Sequence, residues 1–244
     1  MLTKSKIKFI QSLSHKKFRD EAGAFVAEGP KLFRELIALD NLQVLEIYAT
    51  SDWIKREPIA QNFGSIITEI EPSYLERISS LSTPNQVLAI FRKPVFTTVE
   101  AKGYTLVLDS IQDPGNLGTI IRTADWFGIA DIVCSADCVD AFNSKVVQST
   151  MGSIGRVKVV YRDIVQLLTG MTGVPVFAAT LDGDDIYTMD KPGIGFIVIG
   201  NEAHGISPEL LALSTQRITI PKRGRAESLN ASVAAAIIMS EFCR

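Results

Sequence analysis

The amino-acid sequence predicts an α/β protein in two parts: a small α/β domain, then a parallel sheet with helices on both faces. Three observations lead to this prediction. Apolar residues make up 46% of the 244 residues, which is enough for packed cores. After residue 103, helical segments alternate with strand-like segments that are nearly continuous apolar runs. A stretch of turn-forming residues separates this regular half from a less regular one.

The boundary is predicted at residues 94–103, which contain Pro94, a threonine pair and Gly103. We therefore expect an N-terminal domain at residues 1–95 and a C-terminal domain at residues 98–244. In the first domain, the spacing of apolar residues predicts two helices and three short strands. The helices lie at 3–13 and 29–39, and the strands at 25–29, 44–50 and 86–92.

Six strands and five helices are predicted in the C-terminal domain. The strands lie at residues 104–109, 130–135, 156–161, 174–180, 195–200 and 217–221. The helices lie at 116–128, 143–152, 163–170, 207–213 and from 228 onward. Parallel sheets of this kind bind ligands beyond the carboxyl ends of their strands, so the loops that follow the strands are the candidate site.

Charge is unevenly distributed along a chain of net charge −2. The first 19 residues contain no Asp or Glu. They contain His15 and six cations: Lys4, Lys6, Lys8, Lys16, Lys17 and Arg19. Residues 96–244 hold 12 Lys and Arg against 16 Asp and Glu, a net charge of −4. The basic stretch is compatible with phosphate contacts and equally with a solvated helix face.

The three cysteines do not indicate a metal or disulfide framework. Cys134 and Cys138 have neither redox-pair nor zinc-knuckle spacing, and buried apolar thiols are the expected role. The sequence has no apolar run long enough for a membrane span, and we expect no secretory leader, because charged residues interrupt the apolar residues of its first segment. We expect a cytoplasmic protein with no metal and no membrane partner.

The first candidate loop lies in LDSIQDPGNLGTIIRTADWFG. Asn116 stands at the predicted helix start, where its side-chain oxygen can cap the helix or position a ligand. Arg122 follows beside an apolar stripe, and phosphate is a suitable partner for its guanidinium group. The plainer alternatives are that Asn116 only caps the helix and that Arg122 only pairs with Asp125.

The second candidate loop lies in IVIGNEAHGIS. Gly200 at the strand end can let a ligand approach the backbone, and Gly205 closes the turn. Glu202 places a carboxylate at the mouth of the sheet. His204 is a weaker candidate base, because a histidine in a loop is more often incidental.

The third candidate loop lies in ITIPKRGRAESLNASVAAAI. Ser228 is the predicted N-cap, and Asn230 falls in the first turn. Free backbone N–H groups there favour anionic or polar ligand atoms. The alanines allow close approach of a neighbouring backbone or a second subunit, although a plain capped helix remains the alternative. No glycine fingerprint for nicotinamide or nucleoside triphosphate and no GxSxG elbow is present.

Three segments of the chain closely resemble the three motifs of the SpoU/TrmH family of RNA ribose methyltransferases, within the SPOUT superfamily. In the order of these motifs, the segments are NLGTIIRTADWFG, IGNEAHGIS and IPKRGRAESLNASVAAAI. The match covers roughly residues 104–244, and residues 1–95 resemble the family's small RNA-binding domain more loosely. The resemblance implies S-adenosylmethionine as methyl donor and an RNA ribose 2′-hydroxyl as acceptor. It also implies a C-terminal trefoil knot and a homodimer, although unknotted chains are the general rule.

The resemblance also implies the roles of individual residues. The catalytic candidates are Asn116, Arg122, Glu202, Ser228 and Asn230. The candidates that line the cofactor are Thr180, Leu181, Ile199, Gly200, Ile220 and Leu229. A guanidinium group stays protonated at physiological pH. Arg122 is therefore expected to hold the adjacent phosphate and stabilise the alkoxide. The ribose proton would pass to that phosphate, to water or to a transiently neutral Arg122.

Other functions stay open from the sequence alone. Ribosomal RNA is the first choice of substrate, because an additional N-terminal domain suits a structured target, and transfer RNA is the alternative. A non-catalytic RNA-binding protein is disfavoured by the complete set of motif residues. A dehydrogenase of the Rossmann type is disfavoured by the missing glycine fingerprint.

Overall fold

A computed structural model describes residues 2–96, 98, 99 and 102–244 of the chain. Residues 97, 100 and 101 of the predicted boundary lie outside the described residues. The chain forms two compact units, which differ from the two predicted domains in the placement of residues 140–155. The first unit combines the residues up to Val95 with Asp140–Gly155, and the second combines Phe96–Val139 with Arg156–Arg244.

The described residues form strands and helices that alternate along most of the chain. The strands are β1 (Ala24–Glu28), β2 (Val44–Ala49), β3 (Ile67–Glu69), β4 (Val87–Arg92), β5 (Tyr104–Leu108), β6 (Asp131–Cys134), β7 (Lys158–Tyr161), β8 (Val176–Asp185), β9 (Gly195–Ile199) and β10 (Gln216–Thr219). The helices are α1 (Lys4–Ser12), α2 (Lys16–Ala22), α3 (Pro30–Ile37), α4 (Ser51–Arg56), α5 (Pro72–Ile78), α6 (Pro114–Phe127), α7 (Ser144–Thr150), α8 (Ile164–Gly170), α9 (Pro208–Leu213) and α10 (Ala231–Phe242). Short 3-10 helices lie at Pro58–Phe63 and Ser153–Gly155.

The first unit is built on a mixed four-stranded sheet in the order β1-β4-β2-β3. β4 runs antiparallel to β1 and to β2, and β3 runs parallel to β2. Ile7 and Ile10 of α1 pack with Leu88 and Ile90 of β4 in the core. The helices α2, α4 and α5 and the strand β3 were missing from the sequence prediction, because each is short and carries few apolar residues.

Residues 140–155 are held in the first unit by a buried ion pair. Arg19, only 2% exposed, donates from Nε to Oδ2 of Asp140 at 2.9 Å. Its Nη1 donates to the carbonyls of Leu13 at 2.9 Å and Ser14 at 2.8 Å. Arg19 therefore fits neither alternative given for the basic stretch, since its charge is neutralised inside the unit and is available neither to phosphates nor to a solvated helix face.

The second unit contains a six-stranded parallel sheet in the order β10-β8-β9-β5-β6-β7. Val107 on β5 packs in a core with Ile164 and Leu168 of α8 and Leu210 of α9. Leu106, adjacent to Val107 in the strand, is also fully buried and points to the opposite face. Both faces of the sheet are thus covered, and the predicted α/β fold class is confirmed. No helix in the described part is long and apolar enough to cross a membrane.

Candidate active site at the carboxyl edge of the parallel sheet

The predicted loops after β5, β9 and β10 leave the sheet at the same edge. Leu108 at the end of β5 lies opposite Ile199 at the end of β9, so the loops after these strands begin side by side. β10 reaches this edge on the far side of β8, which is the other neighbour of β9. The edge is therefore lined by the loops that carry the three motifs.

The residues that follow β5 tie this edge together. The buried carboxylate of Asp109 accepts a hydrogen bond from the Ser207 backbone N–H at 2.7 Å. The Ser110 carbonyl accepts from Asn201 Nδ2 at 2.8 Å, and the Ser110 N–H donates to Ser135 Oγ at 2.9 Å. Sequence reasoning gave Asp109, Ser110 and Asn201 no such role. A polar residue directly after a continuous apolar strand was the available signal for Asp109.

Three of the predicted catalytic side chains form one hydrogen-bonded chain. Asn116 Nδ2 donates to Glu202 Oε1, and Asn230 Nδ2 donates to Asn116 Oδ1 at 2.9 Å. One residue comes from each motif, over sequence separations of 86 and 114 residues. The structure thus brings Glu202, Asn116 and Asn230 into direct contact.

The chemistry of these groups fixes the orientation of both amides. An ionised carboxylate only accepts hydrogen bonds, so Asn116 must present its NH₂ group to Glu202 and its oxygen to Asn230. Among the described residues, Glu202 Oε2 accepts no hydrogen bond, and the side chain is exposed. The hydrogen-bonded series of Asn230, Asn116 and Glu202 therefore ends in an oriented carboxylate oxygen of Glu202 that is open to a ligand.

Asn230, and not Ser228, is the N-cap of α10. Asn230 Oδ1 accepts from the Ser232 N–H at 3.0 Å, the Ser232 hydroxyl at 2.6 Å and the Val233 N–H at 3.4 Å. Ser and Asn are comparable caps, so sequence preference could not separate the two positions. Ser228 is exposed and lies before the helix, where its side chain makes no hydrogen bond to another described residue.

Asn116 likewise does not cap α6. The cap is Asp113, whose Oδ1 accepts from the Asn116 backbone N–H at 2.8 Å. Pro114 occupies the first helical position, which it favours because its missing N–H is not needed there. The Asn116 side chain is consequently free to join Glu202 and Asn230.

Arg122 lies on the exposed surface of α6 and makes no ion pair with any described residue. Its proposed intrahelical partner Asp125 is engaged by Arg156, with Nε at 2.7 Å from Oδ2. The simple ion-pair explanation for Arg122 is therefore wrong. Its guanidinium group remains available to a ligand outside the described chain.

Thr180 and Leu181 lie where β8 departs from its ladder with β10. The partner of Arg217 is Ala178, but the partner of the next residue, Ile218, is Asp184. Residues 179–183 therefore form a bulge in β8 that has no ladder partners in β10. A side chain at Gly183 would place its Cβ 2.4 Å from the Ile218 backbone nitrogen, so only glycine permits this close passage.

The bulge and the loop before α10 combine a buried hydroxyl with exposed apolar surface. Thr180 Oγ1 is buried without a hydrogen-bond partner among the described residues. Leu181 is 76% exposed and Leu229, in the loop before α10, is 44% exposed. An unpaired buried hydroxyl is costly, so a polar ligand atom would stabilise it. Ile199 is buried at the end of β9, and Ile220 is half-buried after β10.

Gly200 is required by the turn itself. A Cβ there would lie 2.3 Å from the carbonyl carbon of Gly205. Asn201 and Gly205 close the turn with mutual backbone hydrogen bonds of 3.0 and 2.8 Å, and Gly205 has a φ of 70°. The glycines therefore shape the loop that presents Glu202, whereas the exposed His204 uses only its backbone N–H, to Asn201 Oδ1 at 3.3 Å.

The thiols near this edge are free and buried, as expected for Cys134 and Cys138. A hydrogen bond from Cys134, together with bonds from Ser135 and the Ile111 N–H, outweighs burial and lowers the pKa of Cys138 to about 7. The described residues contain no group of three His, Cys, Asp or Glu side chains placed to hold a metal ion.

Comparison with known proteins identifies the family. Residues 103–240 match the SpoU rRNA Methylase family, and residues 4–89 match the MRM3-like substrate binding domain. The chain is 32% identical over 237 residues to 23S rRNA (guanosine(2553)-2'-O)-methyltransferase RlmP of Bacillus subtilis, covering 96% of this chain and 94% of the relative. The chain belongs to the SpoU rRNA methylase family. Membership of this family makes it an RNA methyltransferase.

Solved structures of SpoU-type proteins share the fold over the whole chain. A TrmH-family RNA methyltransferase structure from Porphyromonas gingivalis superposes with a TM-score of 0.88 at 37% identity, covering 99% of this chain and 98% of the other. An AdoMet-bound rRNA methyltransferase from Sinorhizobium meliloti gives a TM-score of 0.86 at 30% identity, covering 99% and 95%. These two structures therefore match this chain over the residues of both compact units.

Proposed function

We propose that the protein transfers a methyl group from S-adenosylmethionine to the ribose 2′-hydroxyl of a nucleotide in ribosomal RNA. The observation that carries the proposal is the hydrogen-bonded chain of Glu202, Asn116 and Asn230, one residue from each family motif. The name of the Bacillus subtilis relative supports 2′-O chemistry on 23S rRNA. The Sinorhizobium meliloti structure supports the choice of methyl donor.

The residues at the sheet edge suit S-adenosylmethionine, which supplies a methyl group bound to a sulfonium. Thr180 offers a buried hydroxyl that lacks a partner, and Leu181 and Leu229 offer apolar surface for an adenosine. The backbones of Ile199, Gly200 and Ile220 stand at the ends of β9 and β10, where ligands of such sheets bind. We assign these six residues to cofactor binding.

The polar chain would position the acceptor ribose. Glu202 fixes the Asn116 amide, and Asn116 in turn fixes Asn230, so that each has one orientation before the substrate arrives. Such preorganisation lowers the barrier because no reorientation is needed during transfer. We place Ser228 on the acceptor side because it lies in the exposed segment directly before Asn230.

Arg122 is assigned to the substrate phosphate. Its guanidinium is exposed and has no ion-pair partner among the described residues, and its fork of donors matches phosphate oxygens. From there it would also stabilise negative charge that develops on the 2′-oxygen. The proton would leave for the phosphate, for water or for a transiently neutral Arg122.

The remaining parts of the proposal concern assembly and substrate. We assign RNA binding to residues 1–95, which the match of residues 4–89 to a substrate binding domain supports. We also propose a cytoplasmic homodimer and a C-terminal trefoil knot. The close passage of β10 beside Gly183 supports the knot, and the exposed Val233 on the alanine-rich α10 supports a packing partner. Light scattering should report a mass above the 26.7 kDa of one chain.

Methyl transfer in vitro tests the central assignment. Purified protein, tritiated S-adenosylmethionine and ribosomal RNA from cells lacking this protein should yield labelled 2′-O-methylnucleosides after digestion. Transfer RNA from the same cells serves as the matched substrate control. Label in base-methylated nucleosides, or in transfer RNA alone, would refute the proposed acceptor.

A further inference from the structure

Most cations of the second unit are already engaged. Five of them form the ion pairs Arg156–Asp125, Lys158–Asp131, Lys191–Glu241, Arg217–Asp182 and Arg244–Glu241. Lys102 and Arg162 also interact with other groups. Within the described part of this unit, the cations left without an ion-pair partner are Arg122, Lys222, Arg223 and Arg225. The available positive charge is therefore concentrated on α6 and in one loop.

That loop, PKRGRAE at residues 221–227, is here called the basic loop. Residues 222–227 are all exposed, and the basic loop makes no hydrogen bond to any other described residue. Its three cations are opposed within the loop only by Glu227. Unpaired backbone groups and cations on the same open segment are the groups that a polyanion can engage.

The position of the basic loop relates it directly to the reacting groups. It runs from β10 to α10 and ends just before Ser228 and Asn230. Asn230 donates a hydrogen bond to Asn116. A nucleotide strand that reaches the side chains of Asn116 and Asn230 must therefore pass close to the basic loop.

The surrounding charge makes local cations necessary. Residues 96–244 carry a net charge of −4, and Glu202 and Asp113 are exposed acids at the same edge. RNA phosphates would be repelled by this background, so cations beside the acceptor site must offset the repulsion. Arginine forks bind phosphate oxygens in pairs, and two of the three loop cations are arginines.

We infer that the basic loop is a phosphate-binding surface: Lys222, Arg223 and Arg225 contact the RNA phosphates that flank the acceptor nucleotide. This inference rests on the proposed function, because it requires RNA at the Asn116–Asn230 chain. It adds a contact surface that includes none of the proposed catalytic or cofactor residues.

A salt titration of RNA binding tests the inference. The variant Lys222→Gln/Arg223→Gln/Arg225→Gln is compared with the wild-type chain, using ribosomal RNA from cells lacking this protein as the probe. Each phosphate contact contributes about 0.7 to the slope of log affinity against log salt for single strands, so the slope should fall by about 2. The KM for RNA should rise on the order of tenfold, while turnover at saturating RNA changes little.

Two controls separate charge at this loop from charge in general. The variant Lys222→Arg/Arg223→Lys/Arg225→Lys keeps the loop charge and should keep most of the slope. The variant Lys158→Gln/Lys191→Gln/Arg244→Gln removes the same charge elsewhere in the unit and should keep the wild-type slope. The acidic partners Asp131 and Glu241 are only 8% and 15% exposed, so urea unfolding first checks that this control variant is folded before its slope is compared.

The outcomes distinguish this inference from the proposed function. An unchanged slope in the glutamine variant, or an equal loss in the Lys158 control, overturns the basic loop as phosphate contact. A tenfold loss of S-adenosylmethionine affinity by calorimetry would assign the loop to the cofactor and also overturn it. If the glutamine variant shows the expected fall in slope but the wild-type chain methylates no RNA, the proposed function fails, and the basic loop is left as an RNA contact without an acceptor nucleotide.

Discussion

The basic stretch at residues 4–19 and the basic loop at residues 221–227 both carry concentrated positive charge in sequence, but they differ in what that charge does. In the basic stretch, Arg19 is buried against Asp140 and Lys6 lies 2.9 Å from Glu46. Lys17 lies 3.9 Å from Glu21, and Lys16 interacts as well. The basic loop has no such partners among the described residues.

This difference shows that available charge cannot be counted from the sequence. The basic stretch has twice as many cations as the basic loop, yet Lys4 and Lys8 are its only cations whose side chains make no interaction with another described residue. An ion pair with a carboxylate already screens a lysine, and a buried pair removes an arginine from the surface altogether. The four predictions below break or sharpen this comparison.

The largest effect is expected for Arg19→Ala. This variant tests whether Arg19, a residue of the basic stretch, is part of the core. The change leaves Asp140 buried without its partner and should lower the free energy of unfolding by about 3–5 kcal/mol. Urea unfolding measures it. Lys17→Ala, which breaks only an exposed pair, is the control and should cost less than about 0.5 kcal/mol. Equal costs for the two variants would mean that Arg19 is not a structural cation.

Arg122→Ala should reduce turnover by about 10²–10³-fold, because a group that stabilises developing charge is removed. Affinity for S-adenosylmethionine should stay within a few-fold, since Arg122 is assigned to the acceptor side. Single-turnover kinetics and calorimetry measure the two quantities. Arg244→Ala, an exposed cation at the chain end, should leave both unchanged. A rate above half the wild-type value would remove Arg122 from the mechanism.

Asn230 allows its structural and chemical roles to be separated. Asn230→Ala loses the cap of α10 and should lower the free energy of unfolding by about 1 kcal/mol. Asn230→Asp can still cap the helix but cannot donate to Asn116 Oδ1, so it should retain stability and lose turnover. Thermal unfolding and methyl transfer together decide this. Full activity in the Asp variant would mean that the Asn116 contact is dispensable.

The smallest effect is expected in the basic stretch. Lys4→Gln/Lys8→Gln should lower the salt slope of RNA binding by at most about 1.4, the contribution of two phosphate contacts. Adding the same change at Lys6, Lys16 and Lys17 should add less per charge, because these lysines already have partners. If the five lysines prove to supply most of the slope, the ranking of the two basic regions is reversed.

The fold and the location of the site were predictable because they depend on short-range patterns. Continuous apolar strands alternating with helices fix a parallel sheet, and a parallel sheet places the ends of β5, β9 and β10 at one edge. Glu202, Asn116 and Asn230 could therefore be grouped before their contacts were known. Their order in the hydrogen-bonded chain could not, because it depends on side-chain geometry over 86 and 114 residues.

What the sequence left undetermined depends on distant contacts or on equivalent choices. The Arg19–Asp140 pair spans 121 residues, and it helps to place residues 140–155 in the first unit. A fragment of residues 98–244 would lack the partners of that segment, so the variants above use the full chain. Ser228 and Asn230 are both good caps, and only the observed start of α10 decides between them.

Mapping of ribose methylation tests the central claim most directly. Ribosomal RNA from cells lacking this protein should lose methylation at one 2′-hydroxyl, detected by resistance to alkaline cleavage. The wild-type chain should restore that methyl group, and the Arg122→Ala chain should not. If every ribose methylation in ribosomal RNA persists without the protein, the proposed acceptor is contradicted.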